Sequence, residues 1–231
     1  MTVINDRAFL RRHIEAVWQI SIPPLDGATV ELPADSPLPP WSLYQASLAH
    51  DQVTIWRPGV SPEERADLLE RARNAGPAYD PALDMRREVV LRFFGNTPAS
   101  QANPQPAARR LTASDAPLLE AFETDSASYF LDPIHAPCLG VIVAGRLVSV
   151  AHSSRRTSLA CELGINTVPD ARQRGYATTA VRAWTEAVLR EGLIPIYSAF
   201  AHNSASLRLA AASGYVRMSD SVYGPVSETP Q

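Results

Sequence analysis

The most informative part of the chain is an alternating stretch followed by a helical one, between residues 159 and 188. Leu159, Cys161, Leu163 and Ile165 alternate with Ala160, Glu162 and Gly164, which is the period-two pattern of a strand. Pro169 ends the strand because it has no N–H to donate to a neighbouring strand. From Ala177 to Val188 apolar residues recur at helical spacing. The pattern predicts a strand, a short polar loop and a helix.

The rest of the C-terminal half continues to alternate between strand and helix patterns. Ala144-Gly145 separates two apolar runs and predicts a tight hairpin turn, and Gly214 predicts a helix stop. From Arg109 onward we expect a strand, two helices, three strands, a helix, a strand, a helix and two strands. Their expected positions are residues 109–111, 112–122, 125–130, 138–143, 147–151, 159–165, 177–191, 194–200, 203–212, 215–218 and 222–223.

The N-terminal half predicts more helix than strand. An amphipathic pattern covers Asp6 to Ile20, and Ser61 followed by Pro62 and two glutamates is a strong helix start. Asp80-Pro81 indicates a further helix that runs to Phe94. Short strands are expected at residues 29–32 and 52–56, with an extended proline-rich loop at 33–40.

A polar, proline-containing segment separates the two halves. Residues 96–107 read NTPASQANPQPA, with no large apolar side chain, which is typical of a linker. We therefore predict an N-terminal helical or mixed region at residues 1–95, a linker at 96–108 and a second domain at 109–231.

Composition narrows the class of protein. Of 231 residues 45% are hydrophobic and 19% charged, and the net charge is −3 without a basic cluster, which argues against a nucleic-acid surface. No apolar run reaches the roughly 20 residues that a membrane helix needs, and the N-terminus lacks a signal-peptide pattern. A cytoplasmic location and free thiols at Cys138 and Cys161 are the expectations.

The loop before the long helix has the residues of an anion site. Gly175 can adopt backbone angles that other residues avoid, and the small Ala177 allows a ligand to approach closely. A loop that opens a helix also directs unpaired N–H groups toward one point, where a phosphate binds well.

This loop resembles the acetyl-CoA pyrophosphate loop of the GNAT superfamily of N-acetyltransferases. The pattern Arg172-x-x-Gly175-x-Ala177 follows a strand, as it does in that family, and the order of elements from Arg109 to about Pro225 is similar throughout. A second segment also matches the family, at Asn203, Ser206, Leu209, Gly214 and Tyr215. The resemblance implies an α/β (α+β) fold, in which a mixed, mostly antiparallel sheet is flanked by helices and preceded by a smaller, mostly helical N-terminal region.

The resemblance implies acetyl-CoA as co-substrate and no metal. Backbone groups of residues 165–168 would pair with the pantetheine arm, and N–H groups of residues 173–178 would hold the pyrophosphate. Arg172 and Arg174 would add charge, although ordinary solvent-exposed arginines are the alternative. Asn203 would bond the pantetheine or a carbonyl, or cap its own helix. The expected cofactor-binding residues are Ile165, Asn166, Thr167, Val168, Arg172, Gln173, Arg174, Gly175, Tyr176, Ala177, Thr178 and Asn203.

Glu162 is the candidate general base, since several GNAT enzymes use a glutamate on this strand to remove the proton of the amine. The alternative is an ion pair between Glu162 and Arg155 or Arg156 on a neighbouring strand. His152 and His202 are interpreted first as structural residues, with the lining of an acceptor pocket as the other reading.

The group that protonates the leaving thiolate is where the chain departs from the family. Many relatives carry a tyrosine one position after the residue that matches Leu209, and this chain has Ala210. Ser206, Tyr215 or Tyr223 is expected to replace it, unless solvent supplies the proton or acyl transfer is weak.

The sequence therefore predicts an acetyl-CoA-dependent N-acetyltransferase acting on the primary amine of a small molecule or on an amino-terminal group. It predicts neither a nucleic-acid nor a membrane partner, and a homodimer is compatible with it. The alternative is a catalytically degenerate GNAT domain that binds acyl-CoA as a sensor or scaffold. Use of a longer acyl-CoA is a third reading.

Overall fold

The computed structural model describes residues 4–35, 37–95 and 106–226, and it has an α/β fold with a mostly antiparallel sheet flanked by helices. The strands are β1 (Thr29–Glu31), β2 (Trp41–Ser47), β3 (Gln52–Trp56), β4 (Arg86–Phe93), β5 (Ala108–Arg110), β6 (Leu139–Val143), β7 (Arg146–Arg156), β8 (Ala160–Thr167), β9 (Ile194–Phe200) and β10 (Tyr215–Val226). The helices are α1 (Asp6–Trp18), α2 (Pro62–Asn74), α3 (Ala116–Phe122), α4 (Ser126–Phe130), α5 (Tyr176–Arg190) and α6 (Ser204–Ala212). None of the helices within these described ranges is long and apolar enough to cross a membrane.

The chain divides into two compact units, each made of several segments. The first unit comprises Met1–Arg92, Ser198–Leu207 and Arg217–Gln231, and the second comprises Phe93–Tyr197 and Arg208–Val216. Two segments from the C-terminal half, Ser198–Leu207 and Arg217–Gln231, belong to the same unit as the N-terminal region. Neither unit is therefore one continuous stretch of the chain. The predicted division at residues 96–108 stays a prediction, and most of that segment lies outside the described residues.

The first unit has strands in the order β1-β3-β2-β10-β4. Its core contains a buried polar network, in which one carboxylate oxygen of Glu88 lies 2.7 Å from the hydroxyl of Tyr44 and 3.0 Å from Nε2 of His13. The N-terminal helix, the strands β1 and β3 and the helix α2 confirm the sequence expectations.

One predicted helix in this unit is wrong. The segment expected as a helix from Asp80 to Phe94 contains β4 instead. Glu88 to Leu91 are buried without interruption. A strand covered on both faces shows no polar–apolar alternation, so its apolar run cannot be told from a buried helix by periodicity. The strand β2 was likewise not predicted, because the prolines before it indicated only an extended loop.

The second unit has strands in the order β9-β8-β7-β6-β5. The side chains of β7 point to two apolar clusters, and a register shift opposite Val141 and Ile142 moves the alternation by one residue after Val148. Val148 and Ala151 pack with Trp184 and its neighbours on α5. Leu147 and Val150 pack with side chains of α3 and α4, among them Leu119 and Phe130. The sheet therefore has α5 on one side and the short helices α3 and α4 on the other.

The pairing of β7 with β8 brings His152 opposite Gly164. A Cβ atom at Gly164 would lie 2.3 Å from Cε1 of the His152 ring. That ring cannot move aside easily, because it is buried and makes edge contacts with Phe130 and His135. The backbone of β8 and the His152 ring thus approach as closely as they do because residue 164 has no side chain.

We predict that Gly164→Ala lowers the free energy of unfolding by about 1–3 kcal/mol, the cost of overpacking a filled interior. Urea titration of the wild type and the variant measures this as a lower midpoint. Gly76→Ala is the matched control, since a Cβ there meets no atom within 4 Å; its effect should stay within about 0.5 kcal/mol. Equal midpoints for the two variants would contradict the contact.

Candidate functional site

The edge of β8 opens in its second half. β8 and β9 are parallel and pair over three residues only, Ala160–Glu162 with Ile194–Ile196. β7 remains paired with β8 to Thr167. Among the described residues, the second half of β8 therefore has β7 as its only neighbouring strand.

The direction of the backbone groups at this edge follows from two hydrogen bonds. The N–H of Val168 donates to the carbonyl of Val148 on β7, at 3.1 Å. The carbonyl of Leu159 accepts from the N–H of Ile194 on the β9 side, at 3.0 Å. Because backbone direction alternates along a strand, Ile165 and Thr167 point their N–H and C=O groups away from β7. An extended ligand could pair with these two residues as an added strand.

This alternation divides the predicted pantetheine-binding stretch. Ile165 and Thr167 present backbone groups to the open side, whereas Asn166 directs its backbone groups to β7 and Val168 directs its N–H there. The Asn166 side chain is exposed, and the half-buried Val168 packs on the α5 core cluster. Of these four residues, only Ile165 and Thr167 therefore have backbone groups that a ligand at the open edge can reach.

The loop that follows β8 leads directly into the N-terminus of α5. Gln173 and Gly175 both have positive φ angles, 60° and 83°. Gly175 is the N-cap residue, and no side chain caps the helix through it. The first N–H groups of α5, at Tyr176, Ala177 and Thr178, have no partner within the helix. The Gly175 carbonyl accepts from the N–H of Thr179, at 3.1 Å, as the helix begins.

The N–H groups of the half-buried Tyr176 to Thr178, together with the exposed Gln173 and Gly175, form a donor surface of the kind that binds phosphate. An ion pair joins this loop to β7. Arg146 on β7 donates to both carboxylate oxygens of Asp170, at 2.5 and 3.1 Å. This hydrogen bonding from Arg146 lowers the pKa of Asp170, and the charge of the nearby Arg174 contributes further.

The two arginines predicted to add charge are both exposed. Nε of Arg172 donates to the carbonyl of Thr167, at 3.3 Å, which ties the loop to the open end of β8. Arg174 projects from the middle of the loop, between the two residues with positive φ. Both readings of these arginines, phosphate partner and surface residue, remain predictions.

Glu162 lies on the opposite face of β8 from the α5 core. Cys161, Leu163 and Ile165 pack on the α5 side, so the alternate residues Glu162 and Gly164 face the other way. Glu162 is 5% exposed, and its Oε2 accepts a 2.7 Å hydrogen bond from Nη1 of Arg155. The ion pair named as the alternative is therefore present. Its arginine is half exposed, at 49% of the side chain, and can move without leaving water.

A cluster that the sequence did not indicate lies beside Glu162 on the same face. Nε2 of the buried His152 is 3.3 Å from the hydroxyl of Tyr129 on α4. The Tyr129 ring packs on His135, with centroids 3.9 Å apart, and Nδ1 of His135 lies 3.0 Å from the carbonyl of Ser153. Burial, with a smaller contribution from the charge of His135, lowers the pKa of His152 to about 4, so its ring is neutral at pH 7. His152 is predicted from the sequence as a structural or pocket-lining residue, whereas Tyr129 and His135 carry no sequence signal besides their residue types.

Three further candidate residues, His202, Asn203 and Ser206, lie in the first unit. Oδ1 of Asn203 accepts from the N–H of Ser206, at 3.0 Å, at the start of α6, so the capping reading of Asn203 is confirmed. Nδ1 of His202 lies 3.3 Å from the carbonyl of Pro77. The cofactor role of Asn203 and the catalytic role of Ser206 stay predictions.

Two candidates for the proton donor, Tyr215 and Tyr223, are buried and contact other side chains. The hydroxyl of Tyr215 is 2.7 Å from Oγ1 of Thr185, and burial raises its pKa. Tyr223 belongs to the first unit, where its ring stacks on Tyr44 at a centroid distance of 5.8 Å. Ala210 is completely buried on α6 and has no polar side-chain atom. Neither Tyr215 nor Tyr223 therefore has the exposed hydroxyl that a substitute for the missing tyrosine needs.

Part of the chain is similar to known proteins. Residues 128–221 match the family model described as GNAT acetyltransferase. No curated protein sequence matches the chain. Among solved structures, a GNAT-family protein from Novosphingobium aromaticivorans is 21% identical, with a TM-score of 0.47, and the match covers 60% of this chain and 63% of that one.

Two further solved structures are similar. An acetyltransferase from the GNAT family of Colwellia psychrerythraea is 14% identical, with a TM-score of 0.47, over 60% of this chain and 55% of that one. A GCN5-related N-acetyltransferase-like protein from Streptococcus suis is 17% identical, with a TM-score of 0.42, over 76% and 73%. The match spans less than two thirds of the length of the Novosphingobium and Colwellia proteins.

The family match covers β7, β8, the loop and α5, the elements that form the open edge and the donor surface. Over residues 128–221 the chain is therefore similar to the GNAT acetyltransferase family.

Proposed function

We propose that this domain is an acetyl-CoA-dependent N-acetyltransferase, which transfers the acetyl group directly to the primary amine of a small molecule or to an amino-terminal group. The observation that carries the proposal is the continuity of two binding features. The open edge of β8 ends where a loop leads into the uncapped N-terminus of α5. A ligand with an amide-containing arm and a pyrophosphate fits this succession of donors.

The fit of acetyl-CoA rests on the chemistry of the two features. The arm carries amides that can pair with the N–H and C=O of Ile165 and with the N–H of Thr167. The pyrophosphate would take the N–H groups of Tyr176 to Thr178, at the positive end of the α5 dipole. Arg174 and the donors of Arg172 that Thr167 does not use would add positive charge. Bound acetyl-CoA supplies an activated acetyl thioester.

Glu162 is proposed as the base that prepares the amine. Only the neutral amine has the lone pair that attacks a carbonyl carbon, so its proton must pass to a base, directly or through a water. Glu162 is buried on the face away from the α5 core, and Arg155 pairs with its carboxylate there. The neutral amine then forms the C–N bond, the C–S bond breaks with the CoA thiolate as the leaving group, and the nitrogen loses its second proton as the amide forms.

The second candidate function is an acyl-CoA sensor or scaffold without turnover. Two observations favour it: the ion pair that occupies Glu162, and the absence of a hydroxyl at the buried Ala210. Both leave the CoA-binding features intact. Binding and transfer therefore need separate measurements.

We predict that the purified protein binds acetyl-CoA and free CoA with micromolar affinity, and that Gly175→Glu abolishes binding. A glutamate there places negative charge where the pyrophosphate would lie, at a position whose φ of 83° disfavours side chains. Isothermal titration calorimetry measures both. Gly192→Glu is the matched control, because Gly192 has a φ of 77° at the other end of α5. Equal affinities of the two variants would place the ligand elsewhere.

We predict that Glu162→Gln lowers kcat for acetyl transfer by about 10²-fold, the usual contribution of a general base, with the affinity for acetyl-CoA unchanged. Glutamine keeps an oxygen for Arg155 but cannot take a proton at neutral pH. The assay follows released CoA thiol with a panel of primary amines. Glu191→Gln, which removes another arginine-paired glutamate of this unit, is the control and should retain the wild-type rate. A wild-type protein that binds acetyl-CoA and acetylates no amine would favour the sensor.

A further inference from the structure

Tyr129, His152 and Gly164 form a cluster in which a polar ring is buried against the sheet backbone. The imidazole of His152 is 4% exposed, and Gly164 leaves the space in which its ring lies against the β8 backbone. A polar ring buried in this way costs free energy unless its nitrogens have partners. Its Nε2 meets the hydroxyl of Tyr129, whose side chain is half exposed at 45%. The cluster thus connects the sheet interior to an accessible phenol.

The hydrogen-bond partners of His152 determine which way its proton points. Nδ1 is buried and has no hydrogen-bond partner in the described parts of the chain. A buried N–H without an acceptor is costly, so we assign the proton of the neutral ring to Nε2. Nε2–H then donates to the oxygen of Tyr129. The phenol keeps its own hydrogen, which is free to point outward.

The surroundings hold the phenol in place. The Tyr129 ring packs on His135, and His135 is in turn hydrogen-bonded to the β7 backbone at Ser153. Burial raises the pKa of Tyr129, with a smaller opposing effect from the charge of Arg155, so the phenol is protonated at neutral pH. Tyr129 contacts His152, which lies opposite Gly164, and Gly164 and Glu162 are alternate residues on one face of β8. A protonated, oriented hydroxyl therefore lies beside the proposed base.

We propose that Tyr129 is the general acid of the transfer reaction and that His152 is the positioning residue that aims its hydroxyl. This inference rests on the proposed acetyltransferase function. As the C–S bond breaks, the O–H bond of Tyr129 breaks and its proton forms the S–H bond of CoA. An ammonium acceptor loses two protons: the first passes through Glu162 to solvent before the C–N bond forms. The second leaves the nitrogen as the amide forms and returns through Glu162 and water to the Tyr129 phenolate, which restores both residues. His152 stays neutral throughout, in keeping with its low pKa.

The assignment explains three features together. It gives a role to the buried His152, it accounts for the missing side chain at Gly164, and it supplies a proton donor in a domain whose residue 210 is a buried alanine. It also separates the two proton transfers between two side chains on one face of the β7–β8 pair.

The test compares Tyr129→Phe with the wild-type protein in the thiol-release assay. Phenylalanine keeps the ring on His135 and removes only the hydroxyl, so kcat should fall about 10²-fold, with the affinity for acetyl-CoA unchanged by calorimetry. Tyr79→Phe is the matched control, because Tyr79 is also 45% exposed and also uses its hydroxyl in a hydrogen bond, to Asp84. It should retain the wild-type rate.

The role of His152 is tested through Tyr129. His152→Leu should lower kcat in the wild-type background and have little further effect in the Tyr129→Phe background, since it acts through the same hydroxyl. His152→Gln, whose amide nitrogen can occupy the place of Nε2, should restore most of the rate. Full additivity of Tyr129→Phe and His152→Leu would overturn the positioning role.

Acceptor amines of different basicity show whether Tyr129 acts as an acid toward the thiolate or as a base toward the amine. If Tyr129 protonates the thiolate, Tyr129→Phe loses the same factor with acceptors of high and low amine basicity; a loss that shrinks with weakly basic amines would assign Tyr129 to the amine and overturn the proposal. An active wild type with Tyr129→Phe within twofold of it would also overturn the proposal and leave the acetyltransferase intact. A wild type without turnover on any amine would remove both.

Discussion

The candidate site depends on the point at which two parallel strands cease to pair. β9 accompanies β8 only as far as Glu162, while β7 continues to Thr167. Backbone N–H and C=O groups in a sheet are normally satisfied by neighbouring strands, so a strand that loses one neighbour keeps a row of unused donors and acceptors. In this chain the row is short, because it ends at Pro169, and it leads to a helix N-terminus. An extended ligand that carries amides and a phosphate meets both groups of donors in sequence.

Side chains alternate along β8, so one face of the strand packs on α5 and the other carries the proposed catalytic residue. One face, with Cys161 and Ile165, packs on α5 and so fixes the helix whose N-terminus would hold the pyrophosphate. Trp184 strengthens this packing, since it is completely buried and donates from Nε1 to Ser153, at 3.2 Å. The other face carries Glu162 and the space above Gly164. Buried charge is tolerated there because Arg155 neutralises Glu162, and buried imidazole because Tyr129 and Ser153 supply partners for His152 and His135.

The sequence was sufficient for the features that depend on local pattern. The β8 strand, the loop around Gly175 and the helix α5 follow from alternation, a glycine and helical spacing, and the structure confirms them. β4 was missed because its buried residues lack alternation. The open edge could not be divided into Ile165 and Thr167 on one side and Asn166 on the other without the register against β7. Tyr129 and His135 reach the site only through tertiary packing, from helical segments 17 to 23 residues before His152. Sequence periodicity carries no information about such contacts.

The most direct test of the central claim is amide hydrogen exchange, followed by NMR with and without saturating CoA. The N–H of Asn166 points to β7, so its exchange should hardly change on binding. The N–H groups of Ile165 and Thr167 point to the open side, and those of Tyr176 to Thr178 begin α5; all should exchange more slowly once the ligand pairs with them. Such an alternating pattern along β8 is what the account predicts. Unchanged exchange at Ile165 and Thr167 under saturating CoA would show that the open edge of β8 does not hold the ligand.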